Sequence, residues 1–361
     1  MMRESEIIDK LKALMRDQFD SIDFVRLISI TSEPEDLMFS DKRFRPDLLV
    51  ELQSGMSEKY FLIFEVKSMG QPRYARMAVN QLQAFVGDQP NYYGVFGAPF
   101  ISDDSKRICQ ENGIGFIDLA GNCLLKFDNV FIKVEDRKNP YPNTRPLKSI
   151  FATKSTRGLR VLLCNPKRDW FVKDFAREAN ISLGQASNLK QRLLDFELIV
   201  AIENKKGSKF RLLEPGSLLD KWTKNYTYRD NTIRNFYSLD DVKTIEKNLT
   251  EYLKNQKIQY AFTLTSGAAR VAPHLRYQRV FSYVKDDPFS MARDLGFKEV
   301  TSGPNVYLFQ PYDEGVFYGI QNINDVNVVS DIQLYLDLKS YRERGEEAAE
   351  FIREHRLKNQ W

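Results

Sequence analysis

Asp47, Glu65 and Lys67 are the residues of this 361-residue chain whose types and spacing could do chemistry together. Glu65 and Lys67 lie two apart in the run YFLIFEVKS, and residues two apart on a strand point to the same face. Asp47 belongs to a second apolar run, FRPDLLVELQ, and the polar segment holding Gly55 between the runs reads as the turn of a β-hairpin. Paired about Met56, the strands set Asp47 opposite Glu65 and Arg45 opposite Lys67, so that two carboxylates and a lysine share one patch. Phe61, Leu62, Ile63 and Phe64 mark the second strand as buried, where an unpaired charge is costly and needs a use. Two carboxylate oxygens suit a hard divalent ion, Mg²⁺ or Mn²⁺. Such an ion makes a bound water nucleophilic and offsets the charge of a scissile phosphate, and Lys67 adds positive charge beside that water. Without a metal, the same residues are a Pro-Asp strand start and a common Glu-x-Lys tripeptide in a chain that is 28% charged.

The elements around the hairpin follow from periodicity. Ile7, Ile8, Leu11, Leu14 and Met15 fall on one helical stripe between Ser5 and Phe19; Phe24 to Thr31 reads as a strand. After the hairpin, Arg73 to Gly87 returns to helical spacing and Asn91 to Phe100 to a strand. The Pro-Asp and Glu-Val-Lys pieces, with Pro46, Asp47, Glu65 and Lys67 as they stand here, resemble the PD-(D/E)xK, restriction-endonuclease-like nuclease superfamily. The order helix, three strands, helix, strand is the αβββαβ core that the resemblance implies. Gln81 in Gln81-Leu-Gln-Ala-Phe85 looks like the Q-x-x-x-Y motif of some members, with Phe85 where tyrosine would stand. There the glutamine positions the attacking water or the phosphate; the alternative is a solvated helix flank. Glu4, Glu6 or Asp9 of the first helix would approach the metal in some relatives, and the sequence does not choose among them.

Asp103 to Asn112 reads as a short helix and Ile114 to Glu135 as a meander with turns at Gly121-Asn122 and Asp128-Asn129. The phrase GFIDLAGNC is either a functional loop or plain turn chemistry. The stretch DRKNPYPNTRPLKS, with three prolines and four basic residues against one acidic, is a linker. Residues 151–214 carry 13 Lys and Arg against 7 Asp and Glu, so positive charge is concentrated there within a chain of net +4. Their pattern of three helices and a hairpin resembles a winged helix-turn-helix, whose third helix, Leu183 to Phe196, would read the major groove. Ala186, Leu189 and Leu193 would pack inward and leave Gln185, Asn188, Gln191 and Arg192 outward, able to meet base edges or phosphates. Ser182 is the expected N-cap beside a phosphate. Lys205, Lys206, Lys209 and Arg211 in the wing would make salt-sensitive phosphate contacts. Such a basic stripe points to double-stranded DNA, with a protein-contact role as the alternative.

From Pro215 onward an α/β pattern begins, with Ser238 expected to cap a helix to Asn255, strands at Gln259–Thr265, Val280–Lys285 and Val306–Gln310, and Ser330 capping Asp331 to Tyr341. TSGAARVAPHL, VVSDIQLYLDLKS and RGEEAAEFIREH resemble the C-terminal region of AbiEi-type antitoxins, winged-helix repressors of type IV toxin-antitoxin systems. The resemblance implies a degenerate nucleotidyltransferase fold in which Thr265-Ser266-Gly267 stands at a phosphate-gripping turn. No Asp-x-Asp pair follows on the next strand, so the domain reads as binding or dimerising.

The expected organisation is thus an α/β multidomain chain: a nuclease-like domain at 1–138, a linker at 139–150, a winged helix-turn-helix at 151–214 and an AbiEi-like domain at 215–361. Three scattered cysteines and two histidines argue against zinc fingers, histidine-metal nucleases and disulfide scaffolds. A charged N-terminus and no long apolar run imply a cytoplasmic protein with no membrane partner. Two functions fit: a Mg²⁺-dependent DNA endonuclease in a defence or mobile-element setting, or a non-catalytic transcriptional repressor that can act as a homodimer, paired with a toxin.

Overall fold

The computed structural model describes residues 2–20, 22–34, 37–39, 42–54, 58–86, 89–140, 150–204, 207–272, 277–341 and 345–361. The hairpin tip at Met56, most of the proline-rich linker, Lys205, Lys206 and His274 lie outside the described residues. The chain divides into two compact units, Met1–Arg145 with Asp195–Glu197, and Pro146–Leu194 with Leu198–Trp361.

The first unit begins with helix α1 (Glu4–Phe19), strand β1 (Val25–Ser32), a short hairpin of β2 (Leu37–Phe39) and β3 (Lys42–Phe44), and the hairpin of β4 (Leu48–Ser54) and β5 (Glu58–Val66). It continues through α2 (Pro72–Val86), β6 (Tyr92–Ala98), α3 (Asp103–Glu111), β7 (Gly115–Asp118), β8 (Cys123–Phe127) and β9 (Val130–Val134). Seven strands form one mixed sheet in the order β1-β4-β5-β6-β7-β8-β9. The pairing Leu48↔Phe64 through Ser54↔Glu58 is the register set by pairing about Met56. β5 and β6 run parallel, joined by α2. Leu62, Phe64 and Val66 pack against Ile7, Leu11 and Met15 of α1, while Ile63 and Phe96 pack with Ala78, Leu82 and Phe85 of α2 on the other face. A strand covered on both faces is apolar at every position, and this is why Leu62 to Val66 is a continuous hydrophobic run broken only by Glu65.

β4 begins at Leu48, so Arg45 is not in the ladder opposite Lys67; its guanidinium instead pairs with Glu33 at 3.2 Å on the exposed surface. Past Lys67 the chain is pinned where Gly70 bridges Ile101, close enough that a Cβ on Gly70 would stand 2.1 Å from the Phe100 carbonyl oxygen. Gly70→Ala should therefore cost about 1–3 kcal/mol, the range for forcing an extra carbon into a packed site. Chemical denaturation of the two proteins checks this: an unchanged midpoint would mean that the loop after Lys67 gives way.

The second unit opens with α4 (Thr153–Cys164), α5 (Val172–Glu178), α6 (Leu183–Asp195) and the antiparallel pair β10 (Ile199–Asn204) and β11 (Gly207–Leu212). Ala186, Leu189 and Leu193 are buried as their spacing requires. Gly158 of α4 lets the helices close up: a Cβ there would meet Leu189 and Phe175, each at 2.7 Å.

Next come α7 (Pro215–Thr223), β12 (Thr232–Tyr237), α8 (Val242–Asn255), β13 (Tyr260–Phe262), α9 (Leu264–Val271), β14 (Val280–Val284) and α10 (Pro288–Asp294). β15 (Lys298–Glu299), β16 (Val306–Gln310), β17 (Gln321–Ile323), β18 (Val326–Val328), α11 (Asp331–Lys339) and α12 (Gly345–Ile352) complete the unit. Its seven strands order as β15-β12-β16-β14-β13-β18-β17.

Two expected boundaries move. Asp241, not Ser238, caps α8, its carboxylate accepting from Thr244 N at 3.0 Å, while the Ser238 hydroxyl tightens the preceding turn through Asp240 N at 3.2 Å. The strand expected to reach Thr265 stops at Phe262, because Leu264 adopts a left-handed φ of 48° and starts a helix there. Among the described residues no helix is long and apolar enough to cross a membrane.

Candidate functional site

Asp47, Glu65 and Lys67 meet at the end of β5. Asp47 N donates to Phe64 O at 3.0 Å, continuing the ladder by one step, and its side-chain Oδ2 accepts from Val66 N at 2.6 Å. The backbone of one strand thus fixes the carboxylate of the other. Glu65 is 6% exposed and ion-paired with the Lys67 ammonium. Lys67 is held from behind by its own N–H, which donates to Gly97 O at 2.9 Å.

Burial is the main cause that pushes both carboxyls above the ordinary range. For Asp47 it outweighs the Val66 N–H and the charge of Lys67; for Glu65 it outweighs the bond and charge of Lys67. Repulsion adds to burial in both cases: Asp47 and Glu4 act on Glu65, and Glu4 and Glu33 act on Asp47. Of the three acidic candidates on α1, the structure brings in Glu4, whose Oε1 accepts from Ser68 N at 3.4 Å. Two buried strand carboxylates and one ammonium therefore share the end of β5, with Glu4 adding repulsion and the anionic forms held at a cost.

Gln81 is exposed on α2, and among the described residues no hydrogen bond joins it to the other three. Sequence reasoning passed over Gln71, which opens α2 four residues beyond Lys67 and has a buried side-chain oxygen with no hydrogen-bond partner. Its only sequence signal is its place between the Glu-x-Lys strand and the helix. Among the described residues no three His, Cys, Asp or Glu side chains form a ready-made metal cage.

GFIDLAGNC is turn chemistry. Fully buried Asp118 accepts from Ile101 N, Ala120 N and Asn122 N, and buried Asn122 ties Asp118 to the backbone of Arg137.

In the second unit, Ser182 and Gln185 form a reciprocal cap on α6: Gln185 N donates to Ser182 Oγ at 3.2 Å and Ser182 N to Gln185 Oε1 at 3.0 Å. The Gln185 oxygen is thus engaged at the helix start. Asn188 and Gln191 are exposed on the same helix and Arg192 is half-buried. On the hairpin, Lys209 lies 5.0 Å from the centre of the Phe171 ring and Arg211 pairs with Asp169 at 3.6 Å.

Thr265, Ser266 and Gly267 are buried within α9. Ser266 Oγ accepts from Phe281 N at 3.0 Å and donates to Arg279 O at 3.3 Å, so this segment ties a helix to a strand. The phrase VVSDIQLYLDLKS forms the N-cap and body of α11. Its Asp337 lies at the centre of a buried network of Tyr226, Thr263, Tyr283 and Gln333, and Gln333 in turn accepts from Arg160 of α4 at 3.0 and 2.7 Å.

No protein of curated function matches this chain in sequence. Among solved structures, a repair endonuclease from Pyrococcus abyssi is similar at 13% identity with a TM-score of 0.23, over 33% of this chain and 48% of that one. EndoMS in its apo form is similar at 12% identity with a TM-score of 0.20, over 33% of this chain and 46% of that one. The chain therefore spans about half the length of these two proteins. Residues 211–358, less than half of the chain, match the family described as "Transcriptional regulator, AbiEi antitoxin, Type IV TA system", and the C-terminal part of this protein is similar to that family from the last strand of the basic hairpin onward.

Proposed function

We propose that this is a DNA-binding protein in which a winged helix-turn-helix, built from α4, α5, α6 and the β10–β11 hairpin, serves a Mg²⁺-dependent nuclease centre carried on the same chain. The observation that carries the reading is the placing of Asp47 and Glu65 beside Lys67 at the end of β5, with both strand carboxyls displaced upward by burial and by neighbouring carboxylates. Perturbed groups of this kind gather where chemistry is done. The donor set fits a hard divalent cation: Asp47 and Glu65 would hold it, water and a substrate phosphate completing the shell. When bound, the ion supplies Lewis acidity at a phosphate oxygen and a lowered pKa for a water. The protein's own groups do the rest. Val66 N–H aims the Asp47 carboxylate, Lys67 holds Glu65 in place and brings positive charge to the attacked phosphate, and Gln81 is assigned to the incoming phosphate or water.

The test is incubation of the purified chain with supercoiled plasmid in Mg²⁺ or Mn²⁺, beside the Glu65→Ala/Lys67→Ala double variant. Metal-dependent nicking by the parent protein and not by the variant supports the reading; retained DNA binding with no cutting by either sinks it.

A second reading is favoured by the family match at residues 211–358: a non-catalytic repressor or antitoxin that binds its own operator as a homodimer, beside a toxin partner. Promoter binding that survives Lys67→Ala and fails in Arg192→Ala would select it.

On either reading the wing and third helix meet phosphates. Lys209→Ala should weaken binding to all duplexes alike and lower the slope of log K against log salt by about one. Fluorescence anisotropy over a salt series measures this, and an unchanged slope would remove Lys209 from the interface.

A further inference from the structure

We infer that the C-terminal sheet carries a nucleotide-binding cavity separate from both sites above. β12, β16 and β14 lie side by side, and residues of one parity bury the core that packs on α8 and α10. Residues of the other parity form a row on the opposite face, with Asn235 paired to Tyr307 and Tyr307 to Phe281, while Ile233 pairs with Phe309. Over that row lies a cavity of about 350 Å³, walled by Tyr228, Arg229, Arg279 and Tyr341.

Its lining is of two kinds. The first is aromatic: Phe281 stacks on Tyr307 at 4.7 Å and 20°, Tyr228 on Phe309 at 5.8 Å and 10°, and Tyr341 stands edge-on to Phe281 at 5.7 Å. The second is cationic and polar: the guanidiniums of Arg229 and Arg279, the latter 3.5 Å from the Tyr341 hydroxyl, no acidic side chain among the described residues of the lining, and the Asn235 side-chain oxygen, buried with no hydrogen-bond partner. A buried acceptor left unpaired is costly, and a ligand donor would satisfy it.

A ligand that answers all of these at once has a flat ring with a polar edge and carries an anion. The ring stacks on the aromatic row, the Asn235 amide meets the edge as amides meet bases, and the arginines take the phosphate. A cavity of this volume suits one nucleotide. The chemistry is the same for a free nucleoside monophosphate and for one residue of a single strand.

The full chain is titrated with AMP, GMP, CMP and UMP by calorimetry, and with a labelled single-stranded hexaribonucleotide by anisotropy. The parent protein is compared with Tyr307→Leu and with Arg229→Gln, the latter at an exposed position. Saturable binding that weakens about fivefold or more in both variants supports the cavity, since one stacked base contributes at least about that much. Binding of the monophosphates assigns a free nucleotide; binding of the hexamer alone, lost in Tyr307→Leu yet kept in Arg192→Ala, assigns a strand. No saturable binding of either probe, or binding that neither variant changes, overturns the inference.

Discussion

Replacing Asp47 by Asn should slow Mg²⁺-dependent plasmid nicking by about two to three orders of magnitude, the size of several kcal/mol of lost charge stabilisation, and should leave the fold at least as stable as before. Asn can still accept from Val66 N, so the local geometry that positions the side chain survives. What disappears is a carboxylate whose ionisation is opposed by burial and by Glu4 and Glu33. The sign is definite. A carboxyl that ionises at higher pH folded than unfolded makes the folded chain less stable as pH rises through that interval, so at neutral pH its charge is a cost that Asn removes. The same holds for Glu65→Gln, where burial outweighs the Lys67 pair. Loss of activity together with an unchanged or raised melting temperature marks a residue kept for chemistry. A carboxylate kept for a structural ion pair gives the opposite, a lowered melting temperature with nicking intact, and that result would move the case to the repressor reading.

The first domain was legible because its signals are local and agree with one another. The register of β4 and β5 follows from two apolar runs and a short polar connection, and that register alone sets Asp47 beside Glu65. Glu4 was not legible among three acidic residues of one helix, since the choice depends on how α1 lies against the end of β5, a tertiary fact. The capping error at α8 has a similar cause: Ser238 and Asp241 are both good caps, and only the path of the turn decides. β12, with the sequence TIRNFY, mixes apolar, charged and amide residues because its two faces serve different neighbours, so neither alternation nor a solid apolar run announces it. The network around Asp337 was hidden for a different reason. Nearly every residue of α11 is buried, polar ones included, so the helix shows no amphipathic stripe to separate a core position from a surface one.

That network makes Asp337 a hub of the second unit. The carboxyl is fully buried, and burial pushes it up to about 6 in spite of hydrogen bonds from Thr263, Tyr226, Gln333 and Tyr283. Compared with 3.8 for the unfolded chain, such a group costs the folded state on the order of 3 kcal/mol by neutral pH. The cost builds as pH rises through the interval between the two values and is absent below it. Asp337→Asn should therefore flatten the dependence of stability on pH between about 4 and 6, and at pH 7 it should be tolerated, because the three hydroxyls around it can turn from donors to acceptors. Asp337→Ala should behave quite differently. It removes the acceptor that four buried donors share, each worth about 1–3 kcal/mol when left unsatisfied, and opens a hole beside Tyr226 and Tyr283. A loss of more than about 3 kcal/mol is expected, and since Gln333 of the same network binds Arg160 of α4, the basic helices should melt with the sheet in one transition. Urea unfolding of the three proteins at pH 4, 5, 6 and 7 measures both effects; if Asn and Ala give the same pH profile as the parent, the carboxylate is not the hub that its hydrogen bonds describe.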